Sequence, residues 1–206
     1  MQKRYEGDDL TELWLMRHGE TEWSRISRHT GRTDIALTEN GQRQAAVLGQ
    51  HLARTKFAAV LCSPLRRARE TCEIAGFGAV AKVDEGLCEW DYGAFEGRTA
   101  KEIHAEIPDW SVWKDDLVGG ESVEQVGARA DGVIERALAA AGPATHDVVR
   151  VALFAHAHIF RILTARWIGL DARGGHHFVL ATGSVSVLGF EKETRVIRHW
   201  NRGFEE

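Results

Sequence analysis

Short apolar runs alternate with amphipathic stretches along most of this chain, and that alternation predicts a layered fold before any chemistry is considered. Runs of strand length fall at residues 13–16, 58–62, 79–83, 148–155, 184–190 and 195–200. Between most of them the apolar positions recur at helical spacing. Thr38 can cap a helix whose buried face runs Ala45, Leu48, Leu52, and Ser63-Pro64 reads as an N-cap followed by a first-turn proline of a helix that stops near Gly76. Thr99-x-x-Glu102 and Ser122-x-x-Gln125 have the form of capping boxes. After the second, Val126, Ala130, Val133 and Ala137 share a helix face until Gly142-Pro143 ends the run. A last helix is expected over 157–168, stopped by Gly169. Strands alternating with helices predict an α/β fold, a three-layer αβα sandwich around a mostly parallel central sheet, in one domain over residues 1–206.

Composition narrows the function classes. The 206 residues hold 26 Lys and Arg against 30 Asp and Glu, a formal net charge of -4, so no global basic field recruits nucleic acid or an anionic membrane. Any anion site must be local. Cys62, Cys72 and Cys88 are odd in number and lack a Cys-x-x-Cys pair, which argues against a disulfide framework or a zinc ribbon and for a reducing cytoplasm. The first nine residues carry no apolar core of a signal segment, and no later apolar stretch approaches the roughly 20 residues that cross a bilayer. The expectation is a cytoplasmic protein with no membrane partner.

In parallel sheets, ligands sit beyond the carboxyl ends of the strands, so the residues just after each strand carry the chemistry. The first strand runs directly into Arg17-His18-Gly19, the second into Ser63 through Arg67, and the fourth into His156. A guanidinium offers a planar fork of donors suited to phosphate oxygens, an imidazole nitrogen can attack phosphorus, and a glycine lets backbone approach closely. Arg17 and Arg67 beside His18 would disfavour its imidazolium form. The N-terminus of the helix beginning near Ala157 could add backbone N–H groups to an anion.

Taken in order, Arg17-His18-Gly19, Ser63-Pro64-Leu65-Arg66-Arg67-Ala68, Leu87-Cys88-Glu89 with Tyr92-Gly93 and Glu96-Gly97, and Phe154-Ala155-His156 resemble the histidine phosphatase superfamily, also called phosphoglycerate mutase-like. The resemblance implies His18 as nucleophile, Arg17, Arg67 and His156 as the phosphate pocket, and Glu89 as proton donor. It further implies substrate contacts from Ser24, Thr30, Gly31, Tyr92 and Ala157. It calls for no metal and no cofactor, since arginines and histidine supply the positive charge.

Departures from the glycolytic mutase pattern shift the balance towards hydrolysis. Ser24 stands where those mutases have asparagine, Ala100-Lys101 where they have a lysine, and Trp113-Lys114-Asp115 where they have paired arginines. The segments 22–24, 29–34 and 88–97 look closest to a phosphatase branch with broad acid phosphatase and sedoheptulose-bisphosphatase-like members. From that branch, Ala157 departs where glycine commonly follows the histidine. The expected activity is metal-independent hydrolysis of small phosphorylated metabolites through a phosphohistidine. A phosphoglycerate mutase and a catalytically silent phosphoester-binding module are the alternatives. Trp90, Tyr92, Phe95, His158 and residues 99–120 are candidates for the leaving-group wall. The strand at 195–200 could pair with a second copy of the chain, giving a homodimer, or be covered by the tail.

Overall fold

A computed structural model of the chain describes residues 10–142 and 147–204. All six predicted strands form, as β1 (Thr11–Arg17), β2 (Ala59–Cys62), β3 (Ala81–Val83), β4 (Val149–Ala155), β5 (Val185–Glu191) and β6 (Thr194–Arg202). They make one sheet in the order β3-β2-β4-β1-β5-β6. The first four are mutually parallel, while β5 runs antiparallel to β1 and β6 antiparallel to β5.

The helices are α1 (Glu22–Arg25), α2 (Glu39–Leu52), α3 (Arg66–Ile74), α4 (Ala100–His104), α5 (Val123–Ala141) and α6 (Ala157–Trp167). They cover both faces, which is why the central strands read as continuous apolar runs rather than as alternating ones. Along β1, Leu13 and Leu15 enter the core shared with α5 and α6, while Met16 enters the core shared with α2 and α3. β4 divides likewise, with Val151, Leu153 and Ala155 on the first side and Ala152 and Phe154 on the other. The period-2 geometry of a strand thus places successive side chains in two separate cores.

Register then sets the site. Arg17 lies opposite Ala155, and Cys62 lies opposite Phe154, so β1, β2 and β4 end nearly level. The residues that follow, His18, Ser63 and His156, share one rim. Gly19 continues from that rim into a close backbone crossing, where an added Cβ would stand 2.3 Å from the Gly41 carbonyl oxygen. Only glycine permits that approach.

Both predicted capping boxes form, at Thr99 and at Ser122, and Thr38 caps α2 as expected. The Ser63-Pro64 start does not. α3 begins at Arg66 with Leu65 as an N-cap that makes no side-chain bond. The Ser63 hydroxyl instead accepts from the Leu65 N–H at 3.3 Å and lies 2.8 Å from a ring nitrogen of His156. A tertiary partner outcompetes the local cap. Among the described residues, no helix is long and apolar enough to cross a membrane.

Candidate active site

The rim borders one cleft of about 330 Å³, lined by Arg17 and His18 of the first motif and by Glu89 and Tyr92 of the third. Arg17, the last residue of β1, donates from a terminal nitrogen to the Leu180 carbonyl, while its buried Nε has no partner among the described residues. Burial lowers its pKa to about 10, so it stays a cation at neutral pH.

His18 is 5% exposed, and its Nδ1 lies 2.7 Å from the Gly19 carbonyl oxygen. A carbonyl only accepts, so Nδ1 carries the hydrogen and Nε2 keeps its lone pair. Burial first, then the Arg67 and Arg17 charges, hold the ring well below its ordinary pKa of 6.5. The imidazole is therefore neutral, with the lone pair of Nε2 unshared.

Arg67 sits in the first turn of α3, where the chain has just left β2. It is fully buried and donates to the carbonyls of Thr30 (2.9 Å), Gly31 (3.0 Å) and Thr33 (3.1 Å), while Nε has no partner among the described residues. The loop presenting those carbonyls is held in turn by Glu96. Its two oxygens accept from Gly31 N–H at 2.9 and 3.0 Å, and one accepts from Thr33 N–H at 3.1 Å. Gly31 suits this place because an added Cβ would stand 2.5 Å from the Trp90 carbonyl oxygen and 2.6 Å from Glu96 Oε2.

His156 is the N-cap residue of α6 and fully buried, its ring centroid 5.2 Å from that of His18. Nε2 meets Ser63 Oγ, and Nδ1 is buried without a partner among the described residues. Burial, then Arg67, His18 and Arg17, keep this ring well below its ordinary pKa.

Glu89 is 4% exposed and sits against the N-terminus of α6. Oε1 accepts from the N–H groups of Ile159 (2.9 Å) and Trp90 (3.0 Å), and Oε2 from that of His158 (3.0 Å). This corrects one expectation: two of the first amides of α6 are engaged by Glu89 rather than left for an anion. The helix terminus positions a carboxyl group beside the cleft instead.

Of the other sequence-predicted residues, Ser24, Thr30, Tyr92 and Ala157 line the cleft with Arg17, His18 and Glu89. Arg67 and His156 are fully buried behind that lining, and Gly31 serves Arg67 rather than facing the cleft. Ser24 also completes a capping box with Thr21, which engages its hydroxyl. Trp90 and Phe95 belong to the core, and no residue of 99–120 lines the cleft. Sequence reasoning did not single out Arg161, His29, the Phe178–Val179–Leu180 wall, or Thr71, whose hydroxyl accepts from Gly19 N–H at 3.0 Å. For Thr71 the available signal was position, one helical turn after Arg67, whereas Glu96 was already named in the Glu96-Gly97 motif.

Three histidines at the site, His18, His156 and His158, all have pKa values well below 6.5 in the fold, led by burial. Between each folded value and 6.5 the unfolded chain binds the extra proton, so stability falls as pH drops through that window. The protein is therefore expected to be less stable at pH 5.5 than at pH 7.5. Denaturant titrations at the two pH values check this; equal stability would contradict the neutral, buried assignment.

Comparison with known proteins accords with this geometry. The family model described as histidine phosphatase superfamily (branch 1) matches residues 13–203. An acid phosphatase of Mycobacterium tuberculosis is 42% identical over 89% of this chain and 88% of its own length. Sedoheptulose 1,7-bisphosphatase of Saccharomyces cerevisiae is 32% identical over 77% of this chain and 68% of its own. Among solved structures, the product of the open reading frame Rv3214 from Mycobacterium tuberculosis superposes with a TM-score of 0.85 at 37% identity, over 94% of this chain and 98% of that one. A mycobacterial glucosyl-3-phosphoglycerate phosphatase complexed with VO3 gives 0.83 at 28% identity, over 93% and 99%. The chain belongs to the histidine phosphatase superfamily, branch 1. Within it, the chain is a phosphoric monoester hydrolase.

Proposed function

We propose that this hydrolase cleaves small phosphorylated metabolites without a metal, by transferring the phosphoryl group to His18. The observation that carries the reading is the tautomer of His18. Gly19 fixes the hydrogen on Nδ1, so the Nε2 lone pair is available beside two guanidinium groups whose Nε atoms have no partner among the described residues.

In the first step Nε2 attacks phosphorus as the ester P–O bond breaks, and charge spreads over the equatorial oxygens. Arg17, Arg67 and His156 are the donors suited to those oxygens. Oε2 of Glu89, with one backbone amide already bound, retains a lone pair for the proton that the departing alkoxide takes up. In the second step water attacks phosphorus and returns a proton to Glu89, the P–N bond breaks, and His18 recovers its lone pair. Two arginines supply the charge a metal would otherwise supply. Among the described residues, no group of three His, Cys, Asp or Glu side chains is arranged to hold a metal ion.

The proton-donor role predicts dependence on the leaving group. Glu89→Gln should lower kcat for an alkyl phosphate by at least about a hundredfold. For p-nitrophenyl phosphate, whose leaving phenolate needs no proton, the loss should be at least about tenfold smaller. Equal losses on both substrates would remove Glu89 from that role. Dialysis against chelator should leave both rates unchanged.

A further inference from the structure

The loop that carries Glu89 is held by one guanidinium with no part in the chemistry above. Arg129 lies on α5, whose Val126, Ala130 and Val133 share a core with Ile159 and Leu163 of α6. An arginine carries five N–H donors, and here every one is placed. Nη1 donates to the carbonyls of Gly86 and Cys88, each at 2.7 Å, and Nη2 to that of Glu89 at 3.4 Å. Nε and Nη2 donate to the two carboxylate oxygens of Glu121, at 2.9 and 2.8 Å. Glu121 holds the same loop from the other side. Its Oε2 accepts from Asp91 N–H at 3.0 Å, and its backbone carbonyl accepts from Trp90 Nε1 at 2.8 Å. Residues 86, 88, 89, 90 and 91 are thus each tied to Arg129 or Glu121, and Leu87 is anchored in the core.

The clamp is ionic and mostly sheltered, with the Arg129 and Glu121 side chains 16% and 20% exposed. Burial raises the Glu121 pKa, but the hydrogen bonds and charge of Arg129 outweigh it and hold the carboxyl below its ordinary range, so the pair stays ionised at neutral pH. Arg32, exposed and 3.8 Å from both Glu121 Oε2 and Asp91 Oδ2, adds a weaker, solvent-screened contact. What the clamp fixes is a direction. Three amides, of Trp90, His158 and Ile159, occupy three of the four acceptor sites of the Glu89 carboxyl, and the last lone pair, on Oε2, is aimed by where the loop backbone stands relative to α6. Because α5 packs against α6, Arg129 ties the loop to the same helix whose amides hold the carboxyl. A displacement of about 1 Å at a reacting group can cost about a hundredfold in rate.

We infer that Arg129, locked by Glu121, is the positioning residue of the Glu89 carboxyl, setting where its free lone pair stands relative to the ester oxygen that takes up the proton. Arg129 does not line the cleft, so its effect reaches the reaction through Glu89 alone. The inference rests on Glu89 as proton donor and adds what holds it in register.

The test compares two leaving groups in wild type, Arg129→Met, Glu89→Gln and the double variant. Arg129→Met should lower kcat/KM for glycerol 3-phosphate by at least about thirtyfold, and the loss for p-nitrophenyl phosphate, whose phenolate leaves without a proton, should be at least about tenfold smaller. Added to Glu89→Gln, the same change should cost less than about threefold more, because the group it positions is already gone. Arg129→Lys, which offers three donors in place of five, should recover part of the glycerol 3-phosphate rate. Equal losses on both substrates, or losses that multiply in the double variant, would make Arg129 ordinary support of the fold and overturn the inference, while a selective defect in Glu89→Gln leaves the proton-donor reading standing. A Glu89→Gln variant without that selectivity removes both. Should Arg129→Met fail to fold, Glu121→Gln, which leaves the three carbonyl bonds of Arg129 in place, makes the same comparison: a loss confined to glycerol 3-phosphate supports the inference and an even loss overturns it.

Discussion

His18→Ala is expected to lower kcat/KM for p-nitrophenyl phosphate by at least about a hundredfold, with no loss of the fold. The side chain is almost wholly buried, but its ring makes a single hydrogen bond, to the adjacent Gly19 carbonyl. Removing it also relieves the packing of a neutral imidazole between two guanidinium charges. Binding of phosphate or vanadate should therefore persist in the variant, because Arg17, Arg67 and His156 remain. A loss of turnover with retained anion binding is the signature of a missing nucleophile. Retained turnover would reject the assignment.

Arg67 should show the second largest effect, on both activity and stability. Thr30, Gly31 and Thr33 direct three carbonyls at its guanidinium, and each would lose its donor in Arg67→Met. The Gly31 carbonyl is the buried acceptor of the three, and leaving it unsatisfied costs about 1–3 kcal/mol, so unfolding free energy should fall by about that much while kcat/KM drops at least about a hundredfold. Arg67→Lys separates charge from geometry. Its ammonium can satisfy some of the carbonyls yet lacks the fork that serves loop and phosphate together, so it should recover stability while remaining at least about tenfold slow. Denaturant unfolding and phosphate release, run on both variants, check the split. A lysine variant as active as wild type would show that positive charge alone suffices.

Much of this was legible in the chain. Two-sided burial makes the central strands apolar throughout, so β1, β2 and β4 announce themselves, and level strand ends then bring His18, Ser63 and His156 to one rim. Capping boxes at Thr99 and Ser122 were readable because both partners lie within one turn. The start of α3 was misread since Ser63 is engaged by His156, 93 residues away, and no local pattern records that. The same limit applies to Glu89. Its place as acceptor for the first amides of α6 depends on the loop after β3 folding across the sheet end, so the sequence suggested free amides where the structure has a capped helix. The antiparallel turn of β5 and β6 was also hidden, as a strand's period does not reveal its direction. Leaving-group residues were the least legible. Trp90 and Phe95 share with Tyr92 an aromatic character, yet only Tyr92 reaches the cleft.

The central claim is the covalent transfer to one imidazole, and trapping that intermediate tests it most directly. Wild-type enzyme turning over p-nitrophenyl phosphate should be quenched in alkali, which preserves phosphohistidine, then digested and mapped by mass spectrometry. The expected result is a phosphoryl adduct on the peptide containing His18, localised to that ring and absent from His18→Ala. An adduct confined to His156 or another residue, or turnover with no adduct in quenches taken throughout the burst, would contradict it.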